Sequence, residues 1–206
     1  MSGILFIISS PSGGGKGTLI KEVLKTVPKI GYSVSYTTRK MREGEIHGRD
    51  YFFVDREQFE DLIEKGEFLE YASVHRNFYG TSVNQIKNET EKGRDVILEI
   101  DTQGAESVKN KMPEAVGVFI LPPSFEVLKQ RLISRETESR EDLILRLKNS
   151  KTEVSHYKDF EYVIINDDKA TASQELKSII IAERLKQVRQ TAKIGAIINT
   201  FDFTDN

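Results

Sequence analysis

Ten residues near the start of the chain, Ser9-Ser10-Pro11-Ser12-Gly13-Gly14-Gly15-Lys16-Gly17-Thr18, combine what anion chemistry needs. Glycines let consecutive backbone N–H groups curve around an anion, and a terminal lysine reaches the outer oxygens of a polyphosphate as a point charge. The stretch is close to the pattern G-x-x-x-x-G-K-[ST], with two departures. Ser10 stands where a glycine is usual, which the backbone tolerates as long as its φ is negative. Gly17 follows the lysine, and the hydroxyl comes one place later, at Thr18. Three consecutive glycines before a lysine weigh against an ordinary turn and point to a phosphate site.

Such a loop works between a strand and a helix, because the helix N-terminus adds its partial positive charge. Ile4 to Ile8 is an unalternating apolar run, as a buried parallel strand reads, and Leu19 to Leu24 is apolar at helical spacing. The same alternation recurs further on. Strands are expected over 95–101, 117–121 and 162–165. Helices are expected over 104–112 (stopped by Pro113), 125–134 (capped by Ser124), from 140 with Leu143, Ile144, Leu147 and Val154 as its seam, and over 170–189 with Leu176, Ile179, Ile180 and Leu185. Strands alternating with helices predict a three-layer α/β fold with a parallel core sheet, whose ligands sit at the carboxyl ends of the strands. The glycine loop, Asp101, Pro122 and Asn166 all fall at such ends.

Between residues 33 and 93 the pattern changes. Tyr32 to Thr38 is β-prone, Arg39 to Glu45 has no period, and Tyr51–Val54, Phe68–Val74 and Phe78-Tyr79 read as short strands, with a polar turn at His75-Arg76-Asn77. Asp55 with Gln58 and Ser82 with Gln85 read as capping boxes opening two short helices. This is a small mixed unit inserted after the first strand and helix. The segment 194–206 carries no assignable pattern.

Composition narrows the setting. A chain of 206 residues, 38% hydrophobic and 30% charged, suits one sizeable α/β domain with insertions. A net charge of -2 gives no sign of a generally basic nucleic-acid surface. With no cysteine, disulfides and cysteine zinc sites are excluded, and a cytoplasmic setting is expected. His47, His75 and His156 lack metal-like spacing and read as surface or packing residues. Ile4 to Ile8 is too short for a membrane span or signal segment. Neither a membrane nor a nucleic-acid partner is expected, and oligomeric state is not legible.

Taken in order, the motifs resemble the guanylate kinases from Gly3 to about Leu185. The resemblance rests on Ser-Pro-Ser-Gly-x-Gly-Lys-Gly-Thr at 10–18, Ser-Val-Ser-x-Thr-Thr-Arg-x-x-Arg-x-Gly-Glu at 33–45 and Gly48-x-Asp50-Tyr51-x-Phe53. It continues through Glu67-Phe68-Leu69-Glu70-Tyr71, Tyr79-Gly80-Thr81 and Glu99-Ile100-Asp101-x-Gln103-Gly104-Ala105. It closes with Pro122-Pro123-Ser124, Arg131-Leu132-x-x-Arg135-x-Thr137-Glu138 and Ile165-Asn166-Asp167-Asp168. The loop alone marks only a broad superfamily; the ordered set is specific.

The resemblance implies a P-loop nucleoside-monophosphate-kinase fold: a core of residues 1–32, 94–123 and 151–190, a GMP-binding insert at 33–93 and a helical lid at 124–150, leaving 191–206 unassigned. It implies reversible transfer of the ATP γ-phosphoryl group to GMP, with Mg²⁺ carried by ATP near Thr18 and without a direct protein metal site. Residues 10–18 (Ser10, Pro11, Ser12, Gly13, Gly14, Gly15, Lys16, Gly17, Thr18), Arg131 and Asn166 would hold ATP. Arg39, Arg42 and Tyr51 would hold the GMP phosphate, with Ser35, Glu70, Thr81 and Asp101 around the guanine and Tyr79 near base and phosphate. Lys16, Arg39, Arg135 and Arg146 would act on the transferring group. Phosphoryl transfer gathers several negative charges in line, so cations from different segments are what it requires. Arg131 and Arg135 are expected on one helix face.

Glu70 is the residue expected to carry base choice. Guanine offers N1–H and an exocyclic amine side by side to one carboxylate, whereas adenine presents a lone pair at N1. Glu136, beside Arg135, stands where the family usually has glycine and bears on rate. Two other readings use parts of the sequence. A non-catalytic guanylate-kinase-like interaction module would lack an intact phosphate loop, and a P-loop kinase for another small phosphorylated acceptor leaves Glu70 and the Ser35 segment without a purpose.

Overall fold

A computed structural model describes residues 2–74, 77–134 and 140–201. In chain order, β1 (Leu5–Ser9) leads through the glycine loop into α1 (Lys16–Thr26) and β2 (Ile30–Tyr32). There follow β3 (Tyr36–Thr37), β4 (Phe52–Phe53), α2 (Arg56–Glu64), β5 (Phe68–Val74), β6 (Asn77–Ser82) and α3 (Val83–Glu91). The chain continues through β7 (Asp95–Glu99), α4 (Thr102–Lys111), β8 (Val116–Leu121), α5 (Phe125–Ile133) and α6 (Arg140–Glu153). A 3₁₀ segment (Val154–Asp159), β9 (Tyr162–Ile165), α7 (Lys169–Leu185) and α8 (Gln187–Ile198) complete it.

Five strands form a parallel sheet in the order β2-β7-β1-β8-β9. The unalternating run in β1 has a direct cause: both faces are covered. Phe6 and Ile8 point to one side and pack with Leu19, Ile20 and Val23 of α1 and Ala172, Leu176 and Ile180 of α7. Leu5 and Ile7 point to the other and meet Ile86 of α3 and Ala105 and Val108 of α4. Each fully buried Leu, Ile or Val of this kind contributes about 1.5–3 kcal/mol of transfer free energy. The second sheet, in the order β4-β3-β6-β5, mixes one parallel pair with two antiparallel ones. An aromatic core holds it: Phe59 of α2 is fully buried and packs 4.6 Å from Phe68 between ring centroids, and Tyr36 stacks on Phe52 at 4.8 Å.

Several expectations are corrected. The parallel sheet has a fifth strand, β2, within a stretch whose sequence shows no strand pattern before Tyr32; as a three-residue edge strand it needs only one neighbour. The helix expected over 170–189 is two helices, broken at Lys186, whose ψ of 133° is extended. Leu185 is consequently 65% exposed rather than part of a seam. Of the segment left unassigned, residues 191–198 are helical, in α8. In α6 the inner stripe is Leu143, Leu147 and the buried Ser150, at i, i+4 and i+7, while Ile144 faces out at 59% exposure and Val154 belongs to the 3₁₀ segment. Asp55 and Gln58 form a complete capping box. At α3 only half of one exists: Ser82 accepts from Gln85 N–H, but the Gln85 amide oxygen accepts from Ser33 Oγ at 2.9 Å. Of the turn expected at 75–77, Asn77 lies in β6, and His75 and Arg76 fall outside the described residues. No helix among the described residues is long and apolar enough to cross a membrane.

Candidate active site

The glycine loop leaves the carboxyl end of β1 and closes on the first turn of α1. Gly13 and Gly15 adopt φ of 87° and 93°, and among the described residues only Lys29 is a non-glycine with positive φ, so Ser10 meets the condition set above. Asn166, just past β9, donates its side-chain amide to Gly14 O at 2.8 Å, and Arg131 of α5 donates to Asn166 O at 2.8 Å. The other terminal nitrogen of Arg131, Nη1, is buried without a hydrogen-bond partner among the described residues. A buried guanidinium donor without a partner is costly unless an anion completes it. A cleft of about 300 Å³ lined by Gly13, Gly15, Thr18, Arg131, Asn166 and Asp167 adjoins it.

Asn166 also limits what residue 15 can be. A Cβ there would lie 2.4 Å from Asn166 Nδ2, on backbone that L-residues avoid. Gly15→Ala is therefore expected to lower stability by roughly 1–3 kcal/mol and to weaken nucleotide binding, read by urea unfolding with and without ATP. An alanine variant as stable as the wild type would show that the loop does not need this conformation.

On the opposite side of the loop, a cleft of about 360 Å³ opens between the two sheets, with Lys16, Tyr32, Ser35, Tyr51, Glu70, Tyr79, Glu99 and Asp101 on its walls. Lys16 Nζ donates to Ser10 Oγ at 3.0 Å, holding the ammonium across the loop. The larger hollow of about 650 Å³, between β9 and α7 on the outer side of the sheet, contains none of these residues.

Glu70 is 6% exposed and sits opposite Thr81 in the β5–β6 ladder, accepting from Thr81 Oγ1 at 2.5 Å. Asp101 caps α4 by accepting from Gly104 N–H. The missing side chain of Gly104 lets the two acids approach: a Cβ there would meet Glu70 Oε2 at 3.2 Å and Asp101 Oδ1 at 3.3 Å. Burial pushes the Glu70 carboxyl above the usual carboxylate range; the Thr81 hydroxyl pulls it down and the Asp101 charge pushes it up. This end of the cleft offers acceptors and calls for a ligand with N–H donors.

The cations lie at the other end. Arg39 stacks 5.4 Å from the Tyr51 ring centroid and 5.6 Å from that of Phe53. Its guanidinium grips Glu45 with two hydrogen bonds of 2.7 and 3.0 Å, which hold the Glu45 carboxyl below its usual range. Glu45 also accepts from Arg42 N–H at 2.7 Å, while Arg42 itself is exposed. Thus Lys16, Ser35, Tyr51, Glu70, Tyr79 and Asp101 share one cleft, Thr81 and Arg39 adjoin it through Glu70 and Tyr51, and Arg131, Asn166 and Thr18 share the other. Arg146 reaches Ser12 Oγ at 3.4 Å. Arg135 and Glu136 lie outside the described residues, and with Arg135 the helix face it was expected to share with Arg131.

Three residues escape the sequence reading. Glu99 faces the start of α1, its carboxylate oxygens 3.7 and 3.8 Å from where a Cβ on Gly17 would stand, and Tyr32 donates to it at 3.4 Å. Its one signal is that a buried strand ends in acids. Glu153 accepts from Ser12 N–H at 3.0 Å and has no local signal, because its partner is 141 residues away.

A glycine–lysine loop over the carboxyl ends of a parallel sheet, facing a buried donor-seeking cleft, defines the class: a P-loop kinase of small nucleotides. The comparisons with known proteins narrow it. The guanylate kinase family pattern matches residues 2–183. The chain is 50% identical to the guanylate kinase of Vibrio vulnificus (strain YJ016) over 199 residues, covering 96% of each chain. It is 47% identical to that of Legionella pneumophila (strain Paris) over 196 residues, covering 94% of each. The crystal structure of guanylate kinase from Anaplasma phagocytophilum superposes with a TM-score of 0.76 at 36% identity, covering 91% of this chain and 89% of that one. The chain belongs to the guanylate kinase family, and its activity is that of an ATP:GMP phosphotransferase.

Proposed function

We propose that GMP lies in the cleft between the two sheets with its base on Glu70, and that ATP lies on residues 10–18 with Arg131 and Asn166 beside it. The observation that carries this reading is Glu70 itself, a buried carboxylate beside a second acid, with Thr81 as its side-chain donor. Ser35, Thr81 and Asp101 complete the base pocket, Tyr79 packs near base and phosphate, and Arg39, Arg42 and Tyr51 take the GMP phosphate. Lys16, Arg135 and Arg146 act on the transferring group. Residues 33–93 form the acceptor insert, rooted on the large sheet by α3, and residues 124–150 form a lid whose closure excludes water. The absence of cysteine supports a cytoplasmic setting.

Mg²⁺ fits this site as an ion carried by ATP. Among the described residues there is no cluster of three histidine or acidic side chains able to cage a metal, and magnesium commonly keeps waters and phosphate oxygens as ligands. Glu99 and Thr18, on either side of the first turn of α1, are the oxygen-bearing residues available to its water shell. The ion's contribution when bound is to offset negative charge on the phosphates. The acceptor phosphate needs no protein base, because its second pKa is about 6.

The test is GMP-dependent ADP release with ATP and Mg²⁺, followed across pH. Glu70 must be ionised to accept two N–H groups, and its folded pKa lies above the ordinary value of about 4.3. As pH falls through that raised value the carboxylate is protonated, so kcat/KM for GMP is expected to drop at a higher pH than an unperturbed glutamate would give. The phosphate of GMP adds its own limb; the Glu70 limb is the one that disappears in Glu70→Gln. Lack of GMP-dependent turnover would sink the whole assignment, and an unchanged profile in the variant would remove Glu70 from the base pocket.

A further inference from the structure

Helix α6 grips the phosphate loop twice through one residue. Ser12 N–H donates to Glu153 Oε2 at 3.0 Å, and Arg146 Nη1 donates to Ser12 Oγ at 3.4 Å. Arg146 and Glu153 are seven residues apart, two turns on one face of α6, with the buried Ser150 between them. The amide N–H and the hydroxyl of Ser12 are therefore both held from the same helix. Glu153 is the last residue of α6 and stands directly before the 3₁₀ segment, with its own backbone still helical. Directly after Ser12 the backbone enters the left-handed region at Gly13, so the position of Ser12 sets the direction of the N–H groups that follow.

We propose that Glu153 is a positioning residue that keeps the phosphate loop in register with α6, so that the loop's hold on the donor phosphates is coupled to the placement of Arg146. The proposal rests on the reading of residues 10–18 as the ATP cradle. A helix that orients the loop is itself oriented when ATP fills the loop, since such coupling is reciprocal. Glu153 touches neither nucleotide in this arrangement; it acts through Ser12 and through the helix it shares with Arg146.

Two conservative variants of the full chain separate contact from charge. Glu153→Gln keeps an oxygen that accepts from Ser12 N–H and loses the charge. Glu153→Asp keeps the charge and is one methylene too short to reach. Hydrogen bonds to charged groups are worth enough that losing this one is expected to raise the KM for ATP, and lower kcat, about tenfold in Glu153→Asp. Glu153→Gln is expected to stay within about threefold with melting as in the wild type, the KM for GMP to change less than twofold in both, and melting without nucleotide to fall by no more than a few degrees in Glu153→Asp. ATP should also raise the melting temperature less in Glu153→Asp than in the wild type. The proposal is overturned if aspartate rescues and glutamine does not, if both variants behave as wild type, or if both KM values rise together with a lowered melting temperature. The first two outcomes leave the ATP cradle standing. A change confined to the KM for GMP would instead remove residues 10–18 from the donor role, and this proposal with them.

Discussion

Lys16→Met is expected to lower kcat by about 10²–10³-fold while leaving the fold and the KM for GMP nearly unchanged. Lys16 is the first residue of α1, between Gly15 and Thr18 of one cleft and the wall of the other: its ammonium crosses the loop to Ser10 Oγ and it lines the cleft between the sheets with Glu70 and Tyr79. With the nucleotides placed as proposed above, a cation there would meet the phosphoryl group in transit between them, when its charge is least balanced by either. That is a transition-state interaction, so its loss falls on kcat more than on binding. Methionine keeps most of the aliphatic stem and helix propensity, so melting temperature should hold, and the Ser10 hydroxyl retains its bond to Pro11 O. Rates with GMP and with a poor acceptor should fall by similar factors, because Lys16 has no part in base choice. A kcat within tenfold of wild type would move the transferring group elsewhere.

The parts of this molecule legible in sequence are those where local pattern and final environment agree. Ile4 to Ile8 reads as a buried parallel strand because helices cover both faces. Asp55 and Gln58 read as a capping box because both halves of the motif are local. Ser82 and Gln85 have the same spacing and the same capping chemistry, yet Gln85 is drawn away to Ser33, a partner 52 residues distant. Strand β2 is invisible for a related reason: Ile30-Gly31-Tyr32 is held by its ladder to β7, and no pattern within three residues announces a partner 65 residues on. Helix α8 leaves Val188, Ile197 and Ile198 exposed, so no buried stripe marks it, and neither glycine nor proline marks the break at Lys186.

The site divides in the same way. The loop is legible because its chemistry lies in consecutive residues. The acceptor cleft is legible only through the ordered family motifs, since Glu70, Thr81 and Asp101 meet through a ladder and a helix cap rather than through spacing. What stays hidden is the internal counter-charge: Glu45 on Arg39, Glu99 facing Gly17 and Glu153 on Ser12. Acids beside a site for anions are not suggested by the ligand's chemistry. They follow from the need to hold cations and loop N–H groups in place before phosphate arrives, which lowers the reorganisation that binding must accomplish.

Glu70→Gln should cost on the order of a hundredfold in kcat/KM for GMP, while turnover with an acceptor lacking the N1–H and exocyclic amine changes little. In the proposed pose the carboxylate accepts two N–H bonds with two oxygens. A glutamine accepts with one and turns an amide N–H₂ toward the other donor, so one favourable contact becomes a clash of donors. In the free protein the substitution acts in the opposite direction. The Glu70 carboxyl is held above its usual pKa, which means that burial beside Asp101 penalises its ionised form near neutral pH. Above that raised pKa the ionised glutamate lowers the stability of the empty protein, and a neutral amide removes the penalty. Glu70→Gln is therefore expected to melt no lower than wild type, and to melt higher at pH 7, while its ability to choose GMP is lost. Paired melting curves and kinetics with GMP and AMP measure both halves. Intact GMP selectivity would refute base readout by Glu70, and a large loss of stability would show that the carboxylate serves the fold rather than the ligand.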